Sequence, residues 1–243
     1  MPKSKFGGIY RDLKARIERG EYPEQTSLPS ENVLIGVYQC SRNTVRRALS
    51  ELAAEGYVQT VQGKGAQVLC RSGRKNEFSL GGIETFREAA ADNHFRYETE
   101  VVRFEEIHAD ETLFHRTGFA PGTALLWVER VRRMGNRPLI LDGSFFLKSA
   151  VGQLSAEIAA VSIYDYLENV LKLRIVTSRR VITVERAGPE ERNRLDLEGY
   201  DCLAVVTSNT YNADGMMFEY TRSAHHPEYF SFSNTAVRRR FRE

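Results

Sequence analysis

Five apolar residues, Val45, Ala48, Leu49, Leu52 and Ala53, recur at i, i+3, i+4, i+7 and i+8 within the stretch SRNTVRRALSELAAEGY. That spacing predicts a helix with one buried stripe, and it forces Arg42, Asn43, Arg46, Arg47 and Ser50 onto the outer side. Ser41 stands where an N-cap belongs, and Gly56 where the helix closes. A short helix of this kind is stable only when its stripe is covered, so the neighbouring segments must supply the cover.

They do so in both directions. Upstream, Ile9, Leu13 and Ile17 are four apart in GIYRDLKARIER, which gives one apolar line on a helix ended by Gly20. Ser30, after a proline, can cap a second helix whose expected buried face is Val33, Leu34, Val37 and Tyr38. Downstream, YVQTVQGKGAQVLC reads as a strand, a turn at Gly63-Lys64-Gly65 and a second strand. Three short helices followed by a ribbon with a lysine at its tip outline a winged helix-turn-helix. An α-helix fits the major groove of DNA, where side chains of its first turns reach base edges. Glycines on both sides of Lys64 let a wing backbone lie close to the minor groove.

Charge supports a division of the chain. Residues 1–75 carry a net charge of +6 and the remainder −4, inside an overall +2. A basic first third on an otherwise acidic chain suggests a polyanion-binding module joined to something else. With 243 residues, 42% of them hydrophobic, there is length for one or two domains. No apolar run approaches the roughly 20 residues needed to span a bilayer, and MPKSKFGGIY lacks the apolar core of a signal peptide, so the cytoplasm is the expected location. Cys40, Cys70 and Cys202 are far apart and without CxxC spacing, which points to neither a disulfide framework nor a structural zinc site.

The expected domains are 1–69, a linker at 70–78 (CRSGRKNEF) and 79–243. Beyond the linker the pattern mixes helices with hairpins. ETFREAAADN, DETLFHRTG, SIYDYLENVL and PEERNRLDL read as helices; ETEVVRFEEI, RIVTSRRVITVE and YFSFS read as strands. ALLWVERVRRM and PLILDGSFF form a hairpin around Gly135-Asn136, and CLAVVTSNTYN and MFEYTRSAH another around Asp214-Gly215. The fold class is therefore α+β, with a mainly antiparallel sheet.

Arg130 and Arg132 are two apart on a strand and share a face with Leu126 and Val128. Arginines on such a face need an anionic partner, since burying an unpaired charge is costly. With a three-residue hairpin loop Arg130 lies opposite Asp142, and with a two-residue loop opposite Leu141. The alternatives are an internal ion pair, solvent exposure or a bound anion. Capped helix starts at Thr85 and Ser162 offer backbone N–H groups that would complete a phosphate cage.

The stretches IYRDLKARIERGEY, LPSE and SRNTVRRALSELAAEGYVQTVQGKGAQV resemble the DNA-binding domain of GntR-type bacterial transcription regulators. The resemblance implies DNA contacts from Ser41, Arg42, Asn43, Thr44 and Arg46 on the recognition helix, and from Gly63 and Lys64 in the wing, where Gly65 completes the turn. Asn32 departs from the family pattern, in which a basic residue commonly follows PSE. The remainder resembles the UTRA effector domain of the HutC branch, which has a chorismate-lyase-like fold. That implies phosphate contacts from Thr85, Phe86, Arg130, Arg132, Ser162 and Tyr164, with Asp142 and Glu219 facing sugar hydroxyls.

Within that branch GGIETFREAA, LILDGSFFLKS, SIYDYLE, LEGYDCLAVV and FEYTRSAHH are most similar to trehalose operon repressors, whose effector is trehalose-6-phosphate. Arg222 and Ala224 depart from that pattern, which has a glutamate and an arginine. The implied partners are palindromic operator DNA, a phosphosugar effector and a second copy in a homodimer. No cofactor is expected. Another phosphosugar, such as an amino-sugar phosphate, is the alternative effector.

Two other classes of function fit the sequence less well. The histidines 94, 108, 115, 225 and 226 form no metal-type helical pair, and there is no Walker loop, GxSxG or HExxH, so catalysis is not expected despite the lyase-like fold. A purely architectural DNA binder would need Arg130 and Arg132 to be paired internally and no small molecule to alter DNA binding.

Overall fold

The computed structural model describes residues 5–69, 77–79 and 97–233. Thr85, Phe86, the expected helix around them and most of the expected linker lie outside the described residues. The chain divides into two compact units, one taking in residues up to Glu77 and from Ser233 onward and the other spanning Phe78–Phe232.

The first unit holds α1 (Lys5–Glu18), α2 (Glu31–Tyr38) and α3 (Arg42–Ala54), then β1 (Val58–Val61) and β2 (Gly65–Val68) as an antiparallel ribbon. Ile9, Leu13 and Ile17 of α1 meet Leu34 of α2 and Val45, Ala48, Leu49 and Leu52 of α3 in one core. Full burial of each such aliphatic side chain stabilises by about 1.5–3 kcal/mol. Ser30 and Ser41 cap α2 and α3 as expected, accepting the backbone N–H of Val33 and Thr44.

The face of α2 differs from expectation. Val33 and Val37 are 52% and 62% exposed. The core is met instead through Leu34, with Ile35 and Tyr38 packed beside it. Tyr38 is held by its hydroxyl donating to Asp12 on α1 at 2.5 Å, which turns the Val33–Val37 line outward.

The second unit is built on a six-stranded antiparallel sheet in the order β4-β5-β6-β9-β8-β7. Its strands are β4 (Tyr97–His108), β5 (Ala124–Met134), β6 (Arg137–Leu147), β7 (Ile175–Arg186), β8 (Cys202–Asn212) and β9 (Met217–His225). A separate pair is formed by β3 (Glu77–Ser79) and β10 (Ser231–Ser233), so a strand begins inside the expected linker. Helices cover both sides of the sheet. On one side lie α5 (Lys148–Val151), α6 (Ala156–Val161) and α7 (Ile163–Asp165), which runs into a π-turn at Tyr166–Val170; they pack on Leu126, Val128 and Phe146. On the other lie α4 (Glu111–Thr117), against Leu125, Phe145 and Tyr220, and α8 (Pro189–Arg194). Two covered faces explain why buried residues follow one another almost without break along β5 and β6.

The β5–β6 hairpin settles the register in an unexpected way. Its loop is the two-residue one, Gly135-Asn136, with Met134 opposite Arg137. By loop length alone Arg130 would face Leu141. A β-bulge at Leu139 adds one residue to β6, so that Arg133 faces Pro138 while Arg132 faces Ile140 and Arg130 faces Asp142. A proline, which has no N–H to give the ladder, sits beside that irregularity.

Candidate functional site

Two regions gather the polar chemistry, one in each unit. On α3, Arg42, Asn43, Arg46 and Ser50 are exposed while Val45, Ala48, Leu49 and Leu52 are buried, so the outer face is the one the spacing predicts. Ser41 Oγ and Thr44 Oγ1 lie 2.8 Å apart at the start of the helix. Arg46 donates from Nε to both carboxylate oxygens of Glu31, each at 3.1 Å, and Arg42 Nη2 donates to Asn32 Oδ1 at 2.9 Å. Arg47 turns the other way, its guanidinium 3.9 Å from the centre of the Phe6 ring. At the tip of the ribbon Gly63 and Gly65 take φ of 76° and 82°, a left-handed conformation that favours glycine, and leave Lys64 exposed between them.

The second region is a polar band across the face of the large sheet on which α5, α6 and α7 pack. Directly opposite residues share a face. The register therefore places Arg130, Asp142, Ser223 and Val206 in one row, with Ser144, Thr221 and Ser208 in the next and Glu219 and Thr210 in the one after. Arg132 donates from Nε to Asp142 at 2.6 Å, and Arg130 Nη2 lies 3.8 Å from the same carboxylate. Ser223 donates its hydroxyl proton to the other oxygen of Asp142, and His225 Nε2 is 2.9 Å from that hydroxyl. Because the proton of Ser223 is committed to Asp142, the imidazole must be the donor to Ser223. Tyr164, reaching down from α7, donates to Glu219, which also accepts from Thr221 at 2.9 Å.

Burial sets the electrostatics here. It lowers the Arg130 guanidinium to about 10, an effect to which neighbouring Arg132 adds. Burial alone would raise Asp142, but the two arginines and the hydrogen bonds from Ser223 and Arg132 outweigh it and hold the carboxyl at about 2. Glu219 is raised by burial, with Tyr164, Thr221 and Arg130 opposing, and the Tyr164 hydroxyl is raised by burial and then by Glu219. His225 is lowered by burial to about 4. Arg130 Nε is buried and has no hydrogen-bond partner among the described residues. An unmet buried donor costs about 1–3 kcal/mol, which an anionic ligand accepting there would recover.

Comparison with known proteins decides the family. The model for bacterial regulatory proteins of the gntR family matches residues 6–68, and that for the UTRA domain matches residues 92–231. The chain belongs to the GntR family. As a GntR/HutC-type member it is a transcriptional regulator and not an enzyme. It is 36% identical over 239 residues to the HTH-type transcriptional regulator TreR of Bacillus subtilis, covering 98% of this chain and 99% of that one. The effector binding domain of that B. subtilis trehalose repressor superposes with a TM-score of 0.54 at 31% identity, covering 59% of this chain and 99% of that one. The mannosyl-D-glycerate transport/metabolism system repressor MngR of Escherichia coli is 29% identical, covering 95% and 97% of the two chains. Across the whole fold, the crystal structure of the possible transcriptional regulator YydK of B. subtilis matches with a TM-score of 0.81 over 97% of this chain and 100% of that one, at 23% identity.

Of the site residues expected from this GntR-family sequence, the structure brings Arg130, Arg132 and Asp142 into direct contact and joins Tyr164 to Glu219. Ser162 stands at the start of α7, where its hydroxyl accepts the Asp165 N–H at 3.3 Å; it is a cap on a very short helix. Thr85 and Phe86 lie outside the described residues. Sequence reasoning missed Ser144, Ser223, Thr210, Thr221 and His225, although hydroxyls alternating with Glu219 along β9 were a signal that this face is polar. Arg222 and Ala224, the two departures from the trehalose-repressor pattern, fall on the opposite face. There Arg222 pairs with Glu185 at 2.8 Å and Glu191 at 2.9 Å, and Ala224 is buried among Val131, Leu141 and Val205.

The ligand atoms of Glu198, His226 and Glu228 lie within 4.8 Å of one another. Arg137 already holds Glu198 at 2.8 Å, and His226 Nδ1 accepts the Glu228 N–H at 3.2 Å.

Proposed function

We propose that the chain is a repressor of a sugar-utilisation operon, the trehalose operon, and that trehalose-6-phosphate releases it from DNA. The observation that carries the effector half is Arg130, a buried guanidinium whose Nε has no hydrogen-bond partner among the described residues, in a cluster where Asp142 is shared with Arg132. In this reading the arginine pair takes the phosphate together with Thr85, Phe86, Ser162 and Tyr164. Asp142 and Glu219 face the sugar hydroxyls. Placement of Arg222 and Ala224 on the far face supports a trehalose-type pocket, because these departures do not line the polar band.

DNA is read by Ser41, Arg42, Asn43, Thr44 and Arg46, with Gly63, Lys64 and Gly65 at the minor groove. A homodimer presents two such helices to the half-sites of a palindromic operator. Residues 1–69 form the DNA-binding domain and 79–243 the effector domain, joined at 70–78, and the protein works in the cytoplasm. Linkage requires that effector and operator weaken each other's binding reciprocally.

The test is a thermal-shift series with trehalose-6-phosphate, glucosamine-6-phosphate, N-acetylglucosamine-6-phosphate, glucose-6-phosphate and trehalose. A ligand at about 100 times its dissociation constant stabilises by roughly 2.7 kcal/mol. For a chain of this size that moves the midpoint by roughly 5–10 °C. A shift with trehalose-6-phosphate alone supports the proposal. A shift with an amino-sugar phosphate transfers the role to that ligand, and no shift with any of them sinks the phosphosugar assignment.

A further inference from the structure

Arg42 and Arg46 stand one turn apart on α3, and both are held from the first turn of α2. Glu31 receives the Nε–H of Arg46 on both oxygens at 3.1 Å and lies 3.9 Å from Arg42 Nε, while Asn32 accepts from Arg42 Nη2 at 2.9 Å. We propose that Glu31 and Asn32 are positioning residues for base recognition: they hold the two recognition-helix arginines so that these read base edges in preference to neutralising phosphates. This deepens the reading of α3 as the DNA-reading helix and rests on it.

Three features carry the inference. First, the arginine side chains are 57% and 59% exposed and that of Glu31 is 36% exposed. Ion pairs at such exposure contribute little to folding, so the contacts are not explained by stability. Second, the chemistry leaves the reading edge available. Arg46 spends only Nε–H on Glu31, and Nη1 and Nη2 are uncommitted among the described residues. The commonest specific contact to DNA is an arginine donating two N–H bonds to guanine O6 and N7, and a guanidinium already oriented has less rotamer freedom left to lose on forming it. Third, a carboxylate beside two arginines acts against indiscriminate binding. Non-specific affinity comes from cations replacing counterions on phosphates, and Glu31 both occupies Arg46 and repels the backbone.

The test uses the full chain and two probes: duplexes enriched by the unmodified protein from a randomised library, and calf-thymus DNA. Affinities are measured across a salt series. For Glu31→Ala the ratio of enriched-duplex to calf-thymus affinity is expected to fall about tenfold. Binding to calf-thymus DNA strengthens at low salt, its slope steepening by about 0.9 for each phosphate newly neutralised. Asn32→Ala is expected to relax a different base pair in a repeat selection.

In an Arg46→Ala background, Glu31→Ala should produce no further loss of discrimination. An unchanged ratio, an equal fall in both affinities at unchanged slope, or a full additional loss in the Arg46→Ala background would each overturn the proposal. Failure of the underlying reading looks different: Arg46→Ala would itself leave the enriched sequence and its affinity unchanged. Melting curves for each variant separate these outcomes from loss of fold.

Discussion

Arg130 lies directly across the β5–β6 ladder from Asp142, although the hairpin joining their strands has a two-residue loop. The bulge at Leu139 makes that pairing possible, and the pairing makes burial of two guanidiniums possible. Without the shift Asp142 would point to the other face, because a one-residue slip exchanges the two faces of a strand. Arg130 and Arg132 would then be buried with no carboxylate of β6 beside them.

Asp142→Asn tests this directly. The amide fills the same space but removes the one negative charge that both arginines share. Breaking a buried pair on one side costs about 3–5 kcal/mol. At roughly 2–4 °C per kcal/mol, a fall in the melting midpoint of roughly 6–20 °C is expected. Inorganic phosphate should recover part of that loss in the variant and do less for the unmodified protein. A midpoint that does not move would show that Asp142 does not compensate the pair.

The two polar regions should separate in function. Arg46→Ala is expected to weaken binding to the enriched duplex about tenfold or more while the thermal shift with trehalose-6-phosphate persists. Arg132→Ala is expected to retain DNA binding and lose both that shift and release from DNA. Gel-shift and melting measurements on each variant suffice, and equal damage to both activities in folded protein would contradict the division.

How much of this could be read beforehand follows from range. The α3 stripe and the Ser30 and Ser41 caps depend on neighbours within one or two turns, and all stand where periodicity placed them. The outward turn of Val33 and Val37 was not legible, because it depends on Tyr38 reaching Asp12 across 26 residues. Arg130 and Arg132 were recognisable as a pair needing an anion, but their internal partner hung on one extra residue in the facing strand. The Ser223 and His225 members of the cluster were missed for a related reason. Only the β6–β9 register, between strands about 80 residues apart, brings Ser223 to Asp142.

Lys64 at the ribbon tip gives a prediction of a different kind. If it meets a phosphate, Lys64→Ala should weaken enriched and random duplexes by the same factor. The salt slope should fall by about one. A loss confined to the enriched sequence would instead make the wing a reader of bases.

His225 makes stability depend on pH. Its pKa is lowered from 6.5 to about 4 because the ring is buried, where it donates through Nε2 to Ser223. Between those two values the unfolded chain binds a proton that the native chain does not. Stability is therefore full above about pH 6.5 and falls as the pH drops toward 4, by at most about 3 kcal/mol. Glu219, raised by burial, works in the opposite sense: its contribution is present at low pH and is lost as the pH rises through its folded value. Asp142, held at about 2, enters only at lower pH. Denaturant unfolding of the unmodified protein at pH 7 and pH 5 should show the fall. His225→Gln, which keeps a donor for Ser223 but cannot titrate, should flatten it. A slope that survives the substitution would assign the proton to another group.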